Sequence, residues 1–399
     1  MNVEAPSTFW IGLDDTDERE HGCTTYDFND LLNTLTKSDI QIDDTRLVRL
    51  WPFAPQRTRG NAALAASVQC DDAHLLERIL GLWFESKYHG VVDNGQKHSA
   101  QPTLLMTGAQ LPENLYWETV RNHVELEQRM IDLATVEHRI WHTDTGCMGV
   151  IGASAAIAWR GEHDWTWECT AWRQSTGMRN VPPGPVIEMA KKFPRTILNR
   201  DPNANRSLIA PRTPCPVLYG IRGEEKSDVL NAHDFLQKYP VEQSKSHRAF
   251  RSNQATGDHL EGCQESTVVS TKVMQGGHVE IDVGKTLLVF SKGGPVNKLA
   301  QSLKPGDIIR WYGLHSNHAY HLEKLKLIRG ERNFRRPKCV CGTRYKSKGV
   351  DQKLKCPNCD SEVEEYWDFD VIESPWVEPP IPSRRHLSKP LNRIGKSEC

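Results

Sequence analysis

Three aspartates near the N-terminus are the first residues whose types and spacing suggest chemistry. Residues 9–13 are apolar and have the composition of a buried strand, and Asp14, Asp15 and Asp17 follow directly. Carboxylates at this density repel one another unless a cation lies among them, and Mg²⁺ prefers oxygen ligands of this kind. The stretch therefore predicts a magnesium site, with an acidic surface turn as the alternative.

Two threonines, Thr24 and Thr25, follow the acidic loop at the start of an expected helix. Apolar residues at positions 28, 31, 32 and 35 have helical spacing, so the threonines lie near the helix N-terminus. Free amide groups and the helix dipole favour phosphate there. The stretch thus predicts a Mg²⁺–nucleotide site, with Thr16, Gly22 and Thr25 as further cofactor-binding candidates. A threonine-capped turn is the alternative.

A basic segment that follows the strand-like run at residues 47–52 is another candidate for binding phosphate. It contains Arg57, Arg59, Gly60 and Asn61. Two guanidinium groups next to a Gly-Asn pair are suited to phosphate, and equally to a basic turn that leads into a strand. Both interpretations remain open from the residues alone.

Composition describes an ordinary globular chain of 399 residues, long enough for more than two compact units. The hydrophobic content is 38%, the charged content 25% and the net charge −1. No apolar segment reaches membrane-spanning length, and the N-terminus lacks the pattern of a secretory signal. Most of the eleven cysteines are scattered singly, which favours a reducing cytoplasm over a disulfide framework. We therefore expect a cytoplasmic protein.

Four cysteines near the C-terminus have the spacing of a structural zinc site. Cys339 and Cys341 form one pair, and Cys356 and Cys359 form a second pair after fourteen intervening residues. Two close pairs in tight turns suit tetrahedral Zn²⁺. Basic residues surround them, which suggests a surface for a polyanion, with a solvated run of charge as the alternative. The candidates for that contact are Arg335, Arg336, Lys338, Arg344 and Lys346.

The remaining chain shows a mixed α and β pattern. We expect one long helix over residues 114–138, a glycine-containing turn before a small-residue helix from Ala153, and strands at residues 165–173 and 217–219. Residues 241–260 are polar and are interpreted as a surface linker. Short strands separated by turns over residues 266–328 predict a five-stranded barrel of the OB type. The composition of residues 376–395, proline-rich and basic, predicts disorder.

Several motifs, taken in order, resemble those of the archaeal family of isoleucine-tRNA 2-agmatinylcytidine synthetases. They are DDTD with CTTY, TRGN, IAPRTPCPVLYGIRG and the C-terminal RRHLSKPL. The resemblance implies a kinase-like α/β catalytic domain (1–140), a ferredoxin-like domain (141–262), an OB-fold β-barrel (263–332), a zinc ribbon (333–366) and a basic tail (367–399). The chain departs from the family in having Cys-x-Cys where Cys-x-x-Cys is more common.

The resemblance also implies an activity and a set of site residues. ATP phosphorylates the C2 oxygen of the wobble cytidine of tRNA(Ile) with a CAU anticodon, and the primary amine of agmatine then displaces the phosphate, so that the tRNA reads AUA codons. Asp14, Asp15, Asp17 and Thr24 would be catalytic, Thr24 as a phosphate acceptor. The agmatine candidates are Asn199, Asp201, Arg212, Tyr219 and Arg222, and Arg384 and Arg385 join the tRNA candidates.

Two other functions remain compatible with the sequence. One is a tRNA-binding protein without catalysis, built from the barrel and the ribbon, although the complete DDTD motif and Thr24 argue against it. The other is a ligase that joins a different amine, such as lysine.

Overall fold

An eight-stranded sheet organises the first of the two compact units into which the chain divides. This unit comprises the chain up to Glu261 together with Arg384–Arg393, and the second comprises Gly262–Ser383. The computed structural model describes residues 7–18, 22–55, 57, 60–88, 100–174, 177–349 and 352–394. No helix in these ranges is long and apolar enough to span a membrane.

The strand order of the large sheet is β5-β4-β1-β3-β2-β10-β6-β9. Its neighbours are antiparallel except for β2 and β10, which are parallel. The first unit contains β1 Ser7–Asp14, α1 Thr24–Lys37, β2 Gln41–Arg49, β3 Ala62–Cys70, α2 Ala73–Tyr88, β4 Thr103–Thr107, α3 Asn114–Arg121, α4 Leu126–Leu133, β5 His138–His142, α5 Gly149–Ala158, β6 Thr166–Trp172, α6 Pro183–Lys192, β7 Arg200–Asp201, β8 Arg206–Ser207, β9 Val217–Gly223, α7 Lys226–Leu236 and β10 Ser246–Ser252.

The predicted strand β1 is buried at its centre because its apolar side chains alternate between two cores. Ile11 and Leu13 pack in one core with α1 and α2, and Trp10 packs in the other with α3 and α5. Gly12 lies between them, where an added Cβ would be 2.5 Å from the carbonyl oxygen of Ala153 in α5. The absence of a side chain therefore lets α5 approach the strand that carries the acidic loop.

Two expectations for the first unit are wrong. The helix expected over residues 114–138 is two helices, α3 and α4, separated around Asn122. The segment 241–260, interpreted as a surface linker, contains β10, which pairs with both β2 and β6 inside the sheet. Ser252, Asn253 and Gln254 are buried, so this polar segment forms part of the interior.

The second unit is built mainly of short antiparallel strands. Its elements are β11 Gln264–Thr267, β12 Ser270–Val273, β13 Val279–Asp282, β14 Thr286–Val289, α8 Pro295–Ser302, β15 Ile308–Ser316, β16 Ala319–Arg335, β17 Leu354–Lys355, β18 Glu362–Val363 and β19 Asp368–Ile372. The pairing path is β11-β15-β16-β14-β13-β12, with β19 also on β16. Within the described residues no pairing of the end strands closes this path, so the predicted barrel is not confirmed.

The C-terminal segment is ordered, contrary to the prediction from its composition. In the second unit, Val377 forms a bridge with Leu325. In the first unit, Leu387 is 2% exposed and belongs to the core around α3 and α5. Tertiary contacts thus order a sequence that has little structural preference of its own.

Candidate active site

The carboxylates predicted to bind a metal lie at the end of β1, at the wall of a cleft. Asp14 ends the strand, and its Oδ1 accepts a hydrogen bond of 2.7 Å from the Asp15 amide. Asp15 has a left-handed φ of 57°, and its Oδ2 accepts a hydrogen bond of 2.9 Å from the Gln101 amide. Asp17 also lines the cleft. The three carboxylates therefore line one cleft without forming a compact cluster of metal ligands.

Helix α5 packs so closely on this loop that two of its residues must be glycine. A Cβ on Gly152 would be 1.8 Å from Oδ2 of Asp14, and one on Gly149 would be 2.7 Å from the Asp14 carbonyl oxygen. Met148, Gly149 and Gly152 line the cleft as well. Gly149 and Gly152 therefore allow α5 to approach Asp14 closely.

Burial and mutual repulsion make the ionised forms of these carboxylates unfavourable. Burial, followed by the charges of Asp15 and Asp17, raises the pKa of Asp14 well above its usual value. Burial also raises the pKa of Asp15 to about 6, and Asp17 and Glu18 add to this effect. A cation among these groups would offset the repulsion.

The predicted hydroxyl residues take different positions around the start of α1. Thr24 begins the helix, lines the cleft, and donates a hydrogen bond of 3.2 Å to Oδ1 of Asp17. Thr25 also lines the cleft, and its hydroxyl accepts from Nε1 of Trp172 at 3.2 Å. Thr16 instead donates to Asp27, and Gly22 occupies a turn with a φ of 71°. Of these four predicted residues, Thr24 and Thr25 line the cleft.

The cleft has a volume of about 640 Å³ and brings together most of the predicted nucleotide residues. Arg57, Gly60 and Asn61 line it together with the acidic loop. Arg59 lies outside the described residues. Gly60 and Asn61 of the TRGN segment thus share one site with the acidic loop, which is about forty residues away in sequence.

The cleft also contains a charged network of which Arg222 was predicted from the sequence, whereas Arg49, Glu168 and His386 were not. Glu168 of β6 is 5% exposed, and its Oε2 lies 3.5 Å from Nε of Arg222 in β9. Burial raises the pKa of Glu168, but the charges of Arg222 and Arg49 outweigh it and hold that pKa below its usual value. Gln254 donates its side-chain amide to Glu168. Arg49, Glu168, Arg222 and His386 all line the cleft.

The agmatine candidates are divided between the cleft and the structure behind it. Arg222 lines the cleft, and both its backbone amide and its carbonyl bond to the side chain of Asn199, at 3.1 and 2.9 Å. Tyr219 is buried and bonds to His233 at 3.0 Å. Asp201 accepts two amides at the turn between β7 and β8. Asn199, Asp201, Arg212 and Tyr219 are not among the residues that line the cleft.

The four predicted zinc ligands meet in the second unit. The sulfur atoms of Cys339 and Cys359 lie 3.4 Å apart and those of Cys341 and Cys356 lie 3.5 Å apart. All four lie within 4.8 Å of one another. This spacing, four thiol donors and tight backbone turns at each pair fit tetrahedral Zn²⁺. Among the described residues, no other set of three or more metal-ligating side chains is gathered in this way.

The basic residues around the cysteines are partly paired with acidic residues. Arg335 lies 2.8 Å from Asp370, and Arg336 lies 2.6 Å from Glu365. Arg335, Lys338 and Arg344 line a hollow of about 690 Å³ together with Tyr366. The backbone of Lys346 bridges to that of Lys355. Arg384 and Arg385 belong to the first unit instead, where the guanidinium of Arg385 lies 5.0 Å from the ring centre of Phe53.

These features define a class of multidomain α/β protein, in which one unit carries an acidic, phosphate-suited cleft and the other a four-cysteine site. Two family models match the first unit: the TiaS TCKD domain over residues 10–144 and the TiaS FLD domain over residues 148–259. The chain belongs to this family.

Relatives that match along almost their whole length support the same family. The chain is 31% identical to the isoleucine-tRNA 2-agmatinylcytidine synthetase TiaS of Cenarchaeum symbiosum, over 97% of this chain and 93% of the relative. It is 30% identical to the TiaS of Methanopyrus kandleri, over 96% of both chains. Among solved structures, the complex of TiaS with its isoleucine tRNA and ATP is similar with a TM-score of 0.75 and 26% identity, covering 98% of this chain and 99% of that one. The similarity therefore extends over both units.

Proposed function

We propose that this protein is the ligase that attaches agmatine to C2 of the wobble cytidine of tRNA(Ile) with a CAU anticodon, at the expense of ATP. The observation that carries this proposal is the cleft, where the three aspartates and Thr24 meet the TRGN segment in a chain that matches synthetases of this name along nearly its whole length. Its substrates, tRNA and ATP, are intracellular, which supports a cytoplasmic protein.

The cleft is proposed to hold ATP with Mg²⁺. Magnesium in proteins is commonly bound by one or two carboxylates together with substrate phosphates, so Asp14, Asp15 and Asp17 offer enough ligands. The ion would neutralise charge on the transferring phosphoryl group. Thr16, Gly22, Thr25, Arg57, Arg59, Gly60 and Asn61 remain the proposed nucleotide residues. Thr24, whose hydroxyl bonds to Asp17, is the proposed phosphate acceptor.

Phosphorylation solves the chemical difficulty of the reaction. The C2 oxygen of cytosine is a poor leaving group, whereas its phosphate ester leaves readily. Arg222 and Arg49 line the same cleft as the aspartates and would stabilise the charge on the departing phosphate. An internal base of a folded tRNA must leave its stack to enter such a cleft.

The second unit is proposed to supply the extended tRNA contacts. The end strands of its sheet path, β11 and β12, are separated by only Val268 and Val269, and these two residues bond to Asp307 and Asp282 on opposite sides. A single bent strand that forms both edges of the sheet is the arrangement of an OB-fold. We propose that residues 263–332 form the OB-fold and residues 333–366 the zinc ribbon. The kinase-like catalytic domain is proposed at 1–140, the ferredoxin-like domain at 141–262 and the basic tail at 367–399. The proposed tRNA contacts are Arg335, Arg336, Lys338, Arg344, Lys346, Arg384 and Arg385.

Agmatine is proposed to bind near Asn199, Asp201, Arg212, Tyr219 and Arg222, with the Asp201 carboxylate meeting the guanidinium. Oδ1 of Asp201 accepts turn amides, which leaves Oδ2 for a charged donor. The alternative role of Asp201 is to start the Asp-Pro turn.

Asp201→Asn is expected to raise the agmatine concentration required for half-maximal incorporation at least tenfold. Asparagine keeps the shape and the turn acceptor but removes a charge-assisted pair worth roughly 1.5–3 kcal/mol. The measurement is agmatine incorporation as a function of agmatine concentration. Cytidine phosphorylation should be unchanged, because that step needs no amine. An unchanged agmatine requirement would assign Asp201 to the turn alone and place the guanidinium site elsewhere in residues 170–225.

The test of the proposed function is mass analysis of nucleosides from an unmodified tRNA(Ile) transcript incubated with protein, ATP, Mg²⁺ and agmatine. The expected product is cytidine with agmatine condensed at C2, formed only when ATP is present. A transcript with uridine at the wobble position is the matched control. Incorporation of lysine instead of agmatine, or no product from folded protein that binds the transcript, would overturn the proposal.

A further inference from the structure

His386 reaches the cleft on a segment that folds back from the C-terminal end of the chain. Two backbone hydrogen bonds hold this segment in place. The Ala255 amide donates to the His386 carbonyl at 2.8 Å, and the Gly257 amide donates to the Leu387 carbonyl at 2.8 Å. Arg393 anchors the end of the segment through ion pairs with Asp164 and Glu224 at 2.9 and 2.8 Å. The imidazole is therefore held at the wall of the cleft.

A chain of hydrogen bonds sets which ring nitrogen of His386 carries the proton. Glu168 is kept ionised by Arg222 and Arg49 and therefore only accepts hydrogen bonds. The amide nitrogen of Gln254 donates to Glu168, so the amide oxygen of Gln254 faces the other way, 3.2 Å from Nδ1 of His386. An amide oxygen only accepts, and Nδ1 must therefore be the protonated nitrogen. Nε2, the remaining acceptor, has no partner in the described part of the chain.

The surrounding charges keep this imidazole neutral. Arg49 first, then burial and Arg222, lower the pKa of His386 well below its usual value. Glu168, the acidic member of this network, is itself paired with Arg222, and the carboxylates of Asp14, Asp15 and Asp17 line the same cleft. The same positive charges would lower the pKa of a primary ammonium ion that entered this part of the cleft, and so favour the neutral, nucleophilic amine.

On the basis of the proposed function, we propose that His386 is a further catalytic residue, whose Nε2 accepts the proton from the primary amine of agmatine as the amine attacks C2 of the phosphorylated cytidine. The nitrogen lone pair forms the N–C2 bond, the C2–O bond breaks, and its electrons leave with the phosphate. The proton moves from nitrogen to Nε2. A weakly basic imidazole suffices because the attacking nitrogen becomes strongly acidic as the bond forms. Gln254 and Glu168 are positioning residues.

The test separates the two half-reactions in His386→Gln and His386→Ala. Both variants are expected to phosphorylate the transcript within about threefold of the wild-type rate, while agmatine incorporation from the phosphorylated transcript falls at least about 100-fold. Added imidazole should restore incorporation in His386→Ala and not in His386→Gln, which fills the space. His74→Gln, at an exposed histidine of α2, is the matched control and should behave as wild type.

The dependence on added base provides a readout that a purely structural role would not move. Incorporation by the wild type should not depend on the concentration of a buffer base at constant pH, because Nε2 of His386 accepts the proton. In His386→Ala it should rise with the concentration of imidazole, because an external base then accepts the proton. Equal loss of both half-reactions, or no loss of incorporation, would overturn the role of His386. Failure of the wild type to use agmatine at all would instead overturn the proposed function.

Discussion

Asp15→Asn is expected to lower ATP turnover by about 100-fold or more, because charge stabilisation by a bound metal ion is worth several kcal/mol. The substitution removes the negative charge and keeps the size of the side chain. Asparagine tolerates the left-handed φ of 57° found at this position, and its side-chain oxygen can still accept the Gln101 amide. The fold of the loop should therefore survive while the proposed magnesium ligand is weakened.

The measurement is ATP hydrolysis or transfer in the presence of transcript, with tRNA binding determined in parallel. Binding should remain within a few-fold, since Asp15 is not among the proposed tRNA contacts. Asp39→Asn is the matched control: Asp39 has a φ of 60°, is exposed, and follows α1 away from the acidic loop. Undiminished turnover in Asp15→Asn would refute the assignment of Asp15 to the metal.

The acidic loop could be predicted from sequence because its signals are local. An apolar strand, the carboxylates and the helix-start threonines lie within thirty residues, and β1 and α1 occur where the pattern places them. The same holds for the cysteine pairs, whose four sulfur atoms meet as predicted. Local spacing determines local geometry in both cases.

The strand β10 could not be predicted, because the groups that satisfy its polar residues are distant in sequence. Arg248 donates to Asn29 and Asn33 of α1, at 2.8 and 2.9 Å. Ser252 donates to the Leu47 carbonyl at 2.7 Å. Each residue looks like surface in the sequence, and only the paired fold makes its burial favourable.

Three members of the charged network in the cleft were missed for the same reason. Arg49, Glu168 and His386 come from β2, β6 and the C-terminal segment, more than a hundred residues apart. One signal was available: Glu168 is the single carboxylate in the tryptophan-rich strand Thr166–Trp172. A charged residue in such a strand needs a partner and therefore points to a site.

The zinc site leads to the second large effect, because residues 333–366 have little apolar core of their own. The apolar cluster around the cysteines consists of Cys339, Tyr345, Leu354 and Cys356, with Val363 packed against it. A core of this size does not stabilise a fold without a bound metal ion or a disulfide bond. Structural zinc contributes roughly 10–16 kcal/mol to such a module, which greatly exceeds what these few side chains supply by burial.

Cys356→Ser is therefore expected to lose the zinc, unfold residues 333–366 and weaken tRNA binding at least about tenfold, while ATP binding by the first unit is retained. Cys356 is fully buried and its Sγ lies 3.5 Å from that of Cys341, so the change removes a central ligand. Zinc content by mass spectrometry, limited proteolysis and tRNA binding measure the three effects.

Cys70→Ser is the control, since the Sγ of Cys70 already donates to the Asp72 carbonyl and the serine hydroxyl can do the same. Wild-type protein that is folded over this segment and contains no zinc would contradict the assignment, because the cysteine cluster would then have to be held by its backbone turns alone.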